Sequence, residues 1–236
     1  MKRTFYLLMG LLLAWMAVPR PAAAADAATE LTSWRNTWSQ LSDYTCDAES
    51  HAVKGDHHED RQLHVTFKKP MKLRVDVVQG NRTADPGSVA VYLGDNQVHG
   101  HQGGMFSGVV LNLGMHDERA TSVRGAVITE ILFNRPLDVI NQYAKRHYQV
   151  TVGAPTSFEG HTVLPVTCVA PKNAAFVGGV NDDIYKEILL YDQAQGLPLS
   201  WDRYDTNDQK VVHLIFRNIH TNTGVSDNVF DPKAKI

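Results

Sequence analysis

The chain has 236 residues, 23 Lys+Arg against 25 Asp+Glu, a formal net charge of −2, and only two cysteines. A mildly acidic balance is not built to grip nucleic acid. The length suits one extended core rather than several.

Lys2 and Arg3 precede an apolar run from Phe5 to Val18, and Pro19-Arg20-Pro21 then leads into Ala22 to Ala25 and Asp26. Charge, apolar stretch and small-residue site in that order predict a secretory signal peptide over 1–25, cleaved after Ala24 or Ala25. The run is shorter than the roughly 20 residues that a membrane span needs. Loss of Lys2, Arg3 and Arg20 takes the formal net charge from −2 to −5 and leaves 26–236 as an expected single domain. Secretion would carry Cys46 and Cys168 into an oxidising compartment. Composition leaves two readings open for them, a disulfide or two buried thiols packing as small hydrophobes.

Leu31, Trp34, Trp38 and Leu41 recur at offsets of three and four, with polar residues between them. That spacing predicts an amphipathic helix over Ala28 to Leu41 whose heavy apolar stripe packs on a core. From Tyr44 onward the period changes to two. Leu63, Val65 and Phe67 alternate with His64 and Thr66, and Leu73, Val75 and Val77 alternate with Arg74 and Asp76. Each such strand has one dry and one wet face, and the wet parity takes Arg74. Val89 and Val91 resume the alternation after a loop, and two further short strands are expected around Gln97 to Gln102 and Val109 to Leu113.

Helical spacing returns between Ile128 and His147, where Pro136 divides it into two short helices with Asn134 capping the second. Strands follow at Tyr148 to Val152, Thr156 to Phe158 and His161 to Val169, then a long loop from Lys172 to Asp183. Ile184 to Ile219 reads as a meander whose last hairpin turns at Asp205-Thr206-Asn207-Asp208, with Leu197, Leu199 and Trp201 on one face. Helices segregated from about twelve sequential strands predict an α+β fold, a curled antiparallel sheet with helices on its concave face.

The search for chemistry returns little. His99 and His101 share a strand face and His57 and His58 share a turn, but no partner pattern completes a metal site, so no metal and no cofactor is expected. There is no G-x-S-x-G, and neither cysteine lies in an activating motif, so the chain does not read as an enzyme. Leu63, Val65, Phe67, Leu73, Val75, Val89, Val91, Leu199 and Trp201 lie on the dry parity of their strands. They are expected to line one apolar space under the helices, the candidate ligand site.

Tyr44-Thr45-Cys46, Gly94-Asp95-Asn96-Gln97-Val98, Val127-Ile128-Thr129-Glu130, Gly160-His161 through Cys168, Gly196-Leu197-Pro198 and the ending Asn222 through Pro232 occur in an order that resembles a family of bacterial secreted proteins. That family is similar to the periplasmic lipoprotein carriers LolA and LolB, and the resemblance spans nearly the whole chain after residue 25. It implies an unclosed β-barrel with helices plugging its concave side. It also implies a periplasmic, monomeric, non-enzymatic carrier or sensor that binds a lipid or a lipoprotein acyl chain. Both cysteines fall in matching segments, which favours a Cys46–Cys168 disulfide. The carriers hold a polar gate residue inside the barrel, for which Arg74 and Arg203 qualify only by lying in strands. The rival reading is an envelope structural module with a filled core and a protein partner, and an envelope hydrolase comes third.

Overall fold

The computed structural model describes residues 27–82, 85–106, 108–174 and 183–234. The expected signal peptide and most of the 172–183 loop lie outside these residues. No helix among the described residues is long and apolar enough to cross a membrane.

Helix α1 (Ala27–Gln40) leads into a meander of β1 (Asp43–Lys54), β2 (His57–Lys68), β3 (Lys72–Gly80), β4 (Val89–Tyr92), β5 (Gln97–His101) and β6 (Leu111–Gly114). Two 3-10 turns, Glu118–Ala120 and Ile128–Ile131, and helix α2 (Arg135–Lys145) cross to the second half. There β7 (Gln149–Val152), β8 (Thr156–Phe158), β9 (His161–Val169), β10 (Ile184–Asp192), β11 (Pro198–Asp205) and β12 (Lys210–Thr221) follow. The strands form one sheet in the order β6-β5-β4-β3-β2-β1-β12-β11-β10-β9-β7, with β8 also on β9. Every pairing is antiparallel, and β1 on β12 joins the two meanders. Strands β6 and β7 are left as separate edges, so the sheet curls without closing, as an unclosed barrel.

Both α-helices form where the apolar spacing predicts them, but the first of the two expected central helices is only the 3-10 turn Ile128–Ile131. Asn134 stands at the N-cap of α2, but its backbone is already helical and its side chain makes no capping bond. Pro136 in the first turn supplies the fixed φ instead. The aromatic stripe of α1 reaches the sheet through Trp34, which is 1% exposed and stacks on Tyr191 at 3.9 Å between ring centroids. Gly196, at φ +66°, lets the β10–β11 turn come close to this helix, since a Cβ there would sit 2.8 Å from Thr37 Oγ1. Burial of a tryptophan of this kind is worth about 4 to 6 kcal/mol gross by area. Tyr44 stacks on Phe133 at 4.0 Å, and Phe133 meets Phe216 edge-on at 5.1 Å. Leu63, Val65, Phe67, Leu73, Val75, Cys46, Cys168 and Trp201 all belong to this one core under the helices.

The convex side is partly covered as well. Arg74 has the outward parity expected of it but is 2% exposed, because the C-terminal segment lies across β3. Its guanidinium pairs with Asp76 and donates to the carbonyls of Val229, Asp231 and Ala234, each at 2.9 Å. Lys68 and Lys72 hold Asp227 of the same segment at 2.7 and 3.0 Å. Arg74 is therefore a structural anchor on the outer face, not a group inside the barrel.

Candidate ligand-binding cleft

The helices cover only part of the concave face. Beyond them, residues 118–131 form a roof over the β3–β6 wing and the far ends of β1, β2, β11 and β12, and a cleft of about 510 Å³ lies between roof and sheet. Such a volume is within the range of small-molecule sites, about 300 to 1,000 Å³. Strand β2 supplies Leu63, the wing supplies Val75, Val77, Ala90, Val98, Leu111 and Leu113, and the roof supplies Ala126, Val127, Ile128 and Ile131. This wall is aliphatic.

One end of the cleft is charged. Glu59 is 2% exposed and pairs with Arg61 at 3.0 Å and Arg82 at 2.8 Å, while Arg61 also forks onto Asp85 at 3.1 and 3.2 Å. Burial pushes the Glu59 carboxyl up, and the two arginines pull against it. Arg124 reaches from the roof, donating to the Val53 carbonyl at the end of β1 and to Asp183.

A second network lies at the β10–β11 side. Glu187 is wholly buried, accepts from Trp201 Nε1 at 2.6 Å and lies beside Tyr143 of α2. The guanidinium carbon of Arg203 lies over the Trp201 ring, 3.8 Å from its centroid, and Arg203 donates to Glu130 of the roof at 3.0 Å. Glu130 also accepts from Arg135 of α2 at 2.7 Å. Burial raises the Glu187 carboxyl, opposed by Arg203 and by the Trp201 bond. The run Arg135, Glu130, Arg203, Glu187 thus ties helix, roof and sheet together inside the barrel, and of the two arginines qualifying by strand position only Arg203 points there.

The expected site residues divide. Leu63, Val75 and Trp201, at the margin of the core cluster, also border the cleft, as does Val89, whereas Val65, Phe67 and Leu73 of that cluster do not. Val89 and Val91 break the expected parity, because they pair with Asp76 and Arg74 while Ala90 and Tyr92 pair with Val75 and Leu73. Val91 is buried, but on the convex side next to Arg74. Leu199 is buried apart from the core cluster, where an irregularity in the β10–β11 ladder sets Tyr191 opposite Pro198. The cysteines correct another expectation. Both are free buried thiols on strands four places apart in the sheet, and burial pushes both up. A bridge would need their Cα atoms within about 7 Å.

Of the histidines singled out by the sequence, His99 and His101 are engaged with polar neighbours. His99 meets Asn112 at 2.8 Å through Nδ1 and Asp95 at 2.6 Å through Nε2, and His101 faces the Gln102 carbonyl at 3.1 Å.

No protein-family model matches the sequence, and no curated protein matches it. Solved structures do. An uncharacterised conserved protein from Thermus thermophilus superposes with TM-score 0.54 at 9% identity, over 88% of this chain and 94% of that one. The Mycobacterium tuberculosis lipoprotein LppX gives TM-score 0.50 at 10% identity, over 86% of this chain and 99% of that one. A LolA superfamily protein from Nitrosomonas europaea also matches, with TM-score 0.40 at 10% identity over 86% and 96% of the two chains. At these identities the likeness to the Thermus protein and to LppX is one of fold alone.

Proposed function

We propose that this chain is a non-enzymatic, periplasmic carrier or sensor that holds a lipid, or the acyl chain of a lipoprotein, in the cleft between roof and sheet. The aliphatic wall running from Leu63 through Val75 and Val98 to Leu113 carries the reading. Each methylene buried there is worth about 0.8 kcal/mol, so ten contribute about 8 kcal/mol, from which the cost of association is then subtracted. In this reading Arg203 and Glu130 latch the roof to the sheet, and residues 26–236 act as one monomeric domain. Sorting of lipoproteins is the narrower form of the proposal. An envelope module with a filled concave face fits the half that the helices cover but not the half under the roof. Native mass spectrometry of the protein purified from its host tests the proposal. A co-purified lipid mass that leaves on denaturation supports it, whereas a chain at its bare mass that takes up no added dodecyl compound refutes it.

A further inference from the structure

The seam between the two meanders carries, on its convex side, a run of side chains that the cleft does not use. Ala52, Val212, Glu59 and Trp201 border the cleft, so their chain neighbours His51, His213, Asp60 and Asp202 project from the other side of the sheet. Register places these four in one cross-strand row. Asp60 of β2 is opposite His51 of β1, His51 is opposite His213 of β12, and His213 is opposite Asp202 of β11. Each histidine turns Nδ1 away from the other, His51 to Asp60 and His213 to Asp202.

That pairing fixes where the remaining nitrogens point. Nδ1 and Nε2 lie on opposite sides of an imidazole ring, so with both Nδ1 atoms turned away from the seam, both Nε2 atoms lean over it toward each other. Among the described residues neither Nε2 has a hydrogen-bond partner. Directly opposite Cβ atoms are about 4.5 to 5.5 Å apart, so ring nitrogens leaning inward from them come closer still. A tetrahedral ion with bonds of about 2.0 to 2.1 Å holds two nitrogens about 3.3 Å apart, a span that suits such a pair. Histidines that bind metal commonly give their other ring N–H to a carboxylate, which fixes the tautomer and makes Nε2 the ligating atom. Here both have that carboxylate in place. Either Asp–His pair alone would be an ordinary surface contact worth little to stability. Set end to end with two unused nitrogens between them, they form a chelate.

Access and charge agree with this. The two histidine side chains are 42% and 29% exposed, so a hydrated ion reaches both. Glu49, two residues along β1 on the same face, and Glu159, within electrostatic range of His213, add negative charge. Arg217 offsets these two, pairing with both at 2.7 Å, and Lys210 holds Asp202 at 2.6 Å.

We infer that His51 and His213 bind one divalent transition-metal ion of the class of zinc, nickel or copper through their Nε2 atoms, clamping β1 to β12 on the face opposite the cleft. No third histidine, cysteine or carboxylate among the described residues joins them as a ligand, so water completes the coordination. The inference stands apart from the acyl reading of the cleft.

Titration calorimetry of the untagged full chain with zinc, nickel, magnesium and calcium chlorides at pH 7.5 tests it. Zinc and nickel should each bind at one ion per chain, and magnesium and calcium at least about tenfold more weakly, because hard cations prefer oxygen ligands. His51→Gln and His213→Gln should each abolish zinc binding, the double change His57→Gln and His58→Gln should leave it, and Asp60→Asn should weaken it about tenfold. Absence of zinc binding would overturn the inference. Magnesium binding as tight as zinc would mark a carboxylate patch and overturn it too, as would zinc binding that survives in His213→Gln. Diethyl pyrocarbonate labelling of the wild-type chain, read by peptide mass spectrometry, decides the matter even if a variant fails to fold. Zinc should protect His51 and His213 and leave His57 and His58 as reactive as before, whereas unchanged labelling of His51 and His213 would place the ion elsewhere and overturn the site.

Discussion

Replacing Arg203 with Met removes the one cation that Glu187 has for a partner among the described residues and keeps most of the apolar stem packed on Trp201. Glu187 is wholly buried, whereas Glu130 keeps Arg135, so the cost falls mainly on Glu187. Breaking a buried pair by removing one member costs about 3 to 5 kcal/mol. For a chain of this size that is a fall in Tm of about 6 to 20 °C. The loss should depend on pH. Burial already lifts the Glu187 carboxyl above its ordinary 4.5, and Arg203 was the main group holding it down. A carboxyl whose folded pKa exceeds its unfolded value stabilises the fold most at acid pH. Stability then drops by about 1.4 kcal/mol per unit as pH rises from the unfolded toward the folded pKa. Urea unfolding of wild type and Arg203→Met at pH 5 and pH 8 measures both parts, and the variant should lose more at pH 8. Adding Glu187→Gln, which keeps an acceptor for Trp201 Nε1, should remove the pH dependence and restore part of the stability. An Arg203→Met protein as stable as wild type at both pH values would refute the buried-pair argument.

Val75→Trp places bulk in the cleft and should abolish dodecanoate uptake at a cost of about 1 to 3 kcal/mol in stability, whereas Val91→Trp, on the convex side, should disturb the fold without a selective effect on uptake. Alkylation of the unreduced, denatured protein should add two groups per chain, since Cys46 and Cys168 are free; addition of none would restore the disulfide. His99, held by Asn112 and Asp95, should titrate above its ordinary 6.5 in a histidine NMR titration, so its contribution is full below that pH and fades as pH rises through the folded pKa. Gly100→Ala should unpair β4 from β5, because its Cβ would lie 2.0 Å from the Val89 carbonyl, and a circular dichroism melt unchanged from wild type would contradict that geometry.

The strands that were legible in the sequence are those with one wet face. On β2, Leu63, Val65 and Phe67 stand against His64 and Gln62, so period and parity coincide with the observed burial. Strand β4 reads Val-Ala-Val-Tyr, apolar at every position, and there alternation sets no register. The longer Val side chains suggested the wrong face, and a shift of one residue turned Val91 outward. Arg74 had the right parity, but its burial depends on contacts with Val229, Asp231 and Ala234, more than 150 residues away, which no local pattern encodes. Leu199 was lost to an irregularity in the ladder, a feature that alternation cannot anticipate. The roof was hidden for another reason: 118–131 is mostly turn and 3-10 structure, and its role comes from where the chain passes rather than from a period.

The charged end of the cleft did leave a trace in the sequence, though a search for apolar runs passes over it. Glu59 and Arg61 continue the parity of Leu63, Val65 and Phe67 on β2, Glu187 shares that of Leu189 and Tyr191 on β10, and Arg203 that of Trp201 on β11. A charge on the dry parity of a strand must be buried with partners or the strand is misread, since an uncompensated buried ion costs several kcal/mol. The register shows that these positions gather at one end of the sheet: Arg203 is opposite both Glu187 and Val212, Val212 is opposite Ala52, and Ala52 is opposite Glu59. Acid and base therefore occupy both ends of one cross-strand row, with two small apolar side chains between them.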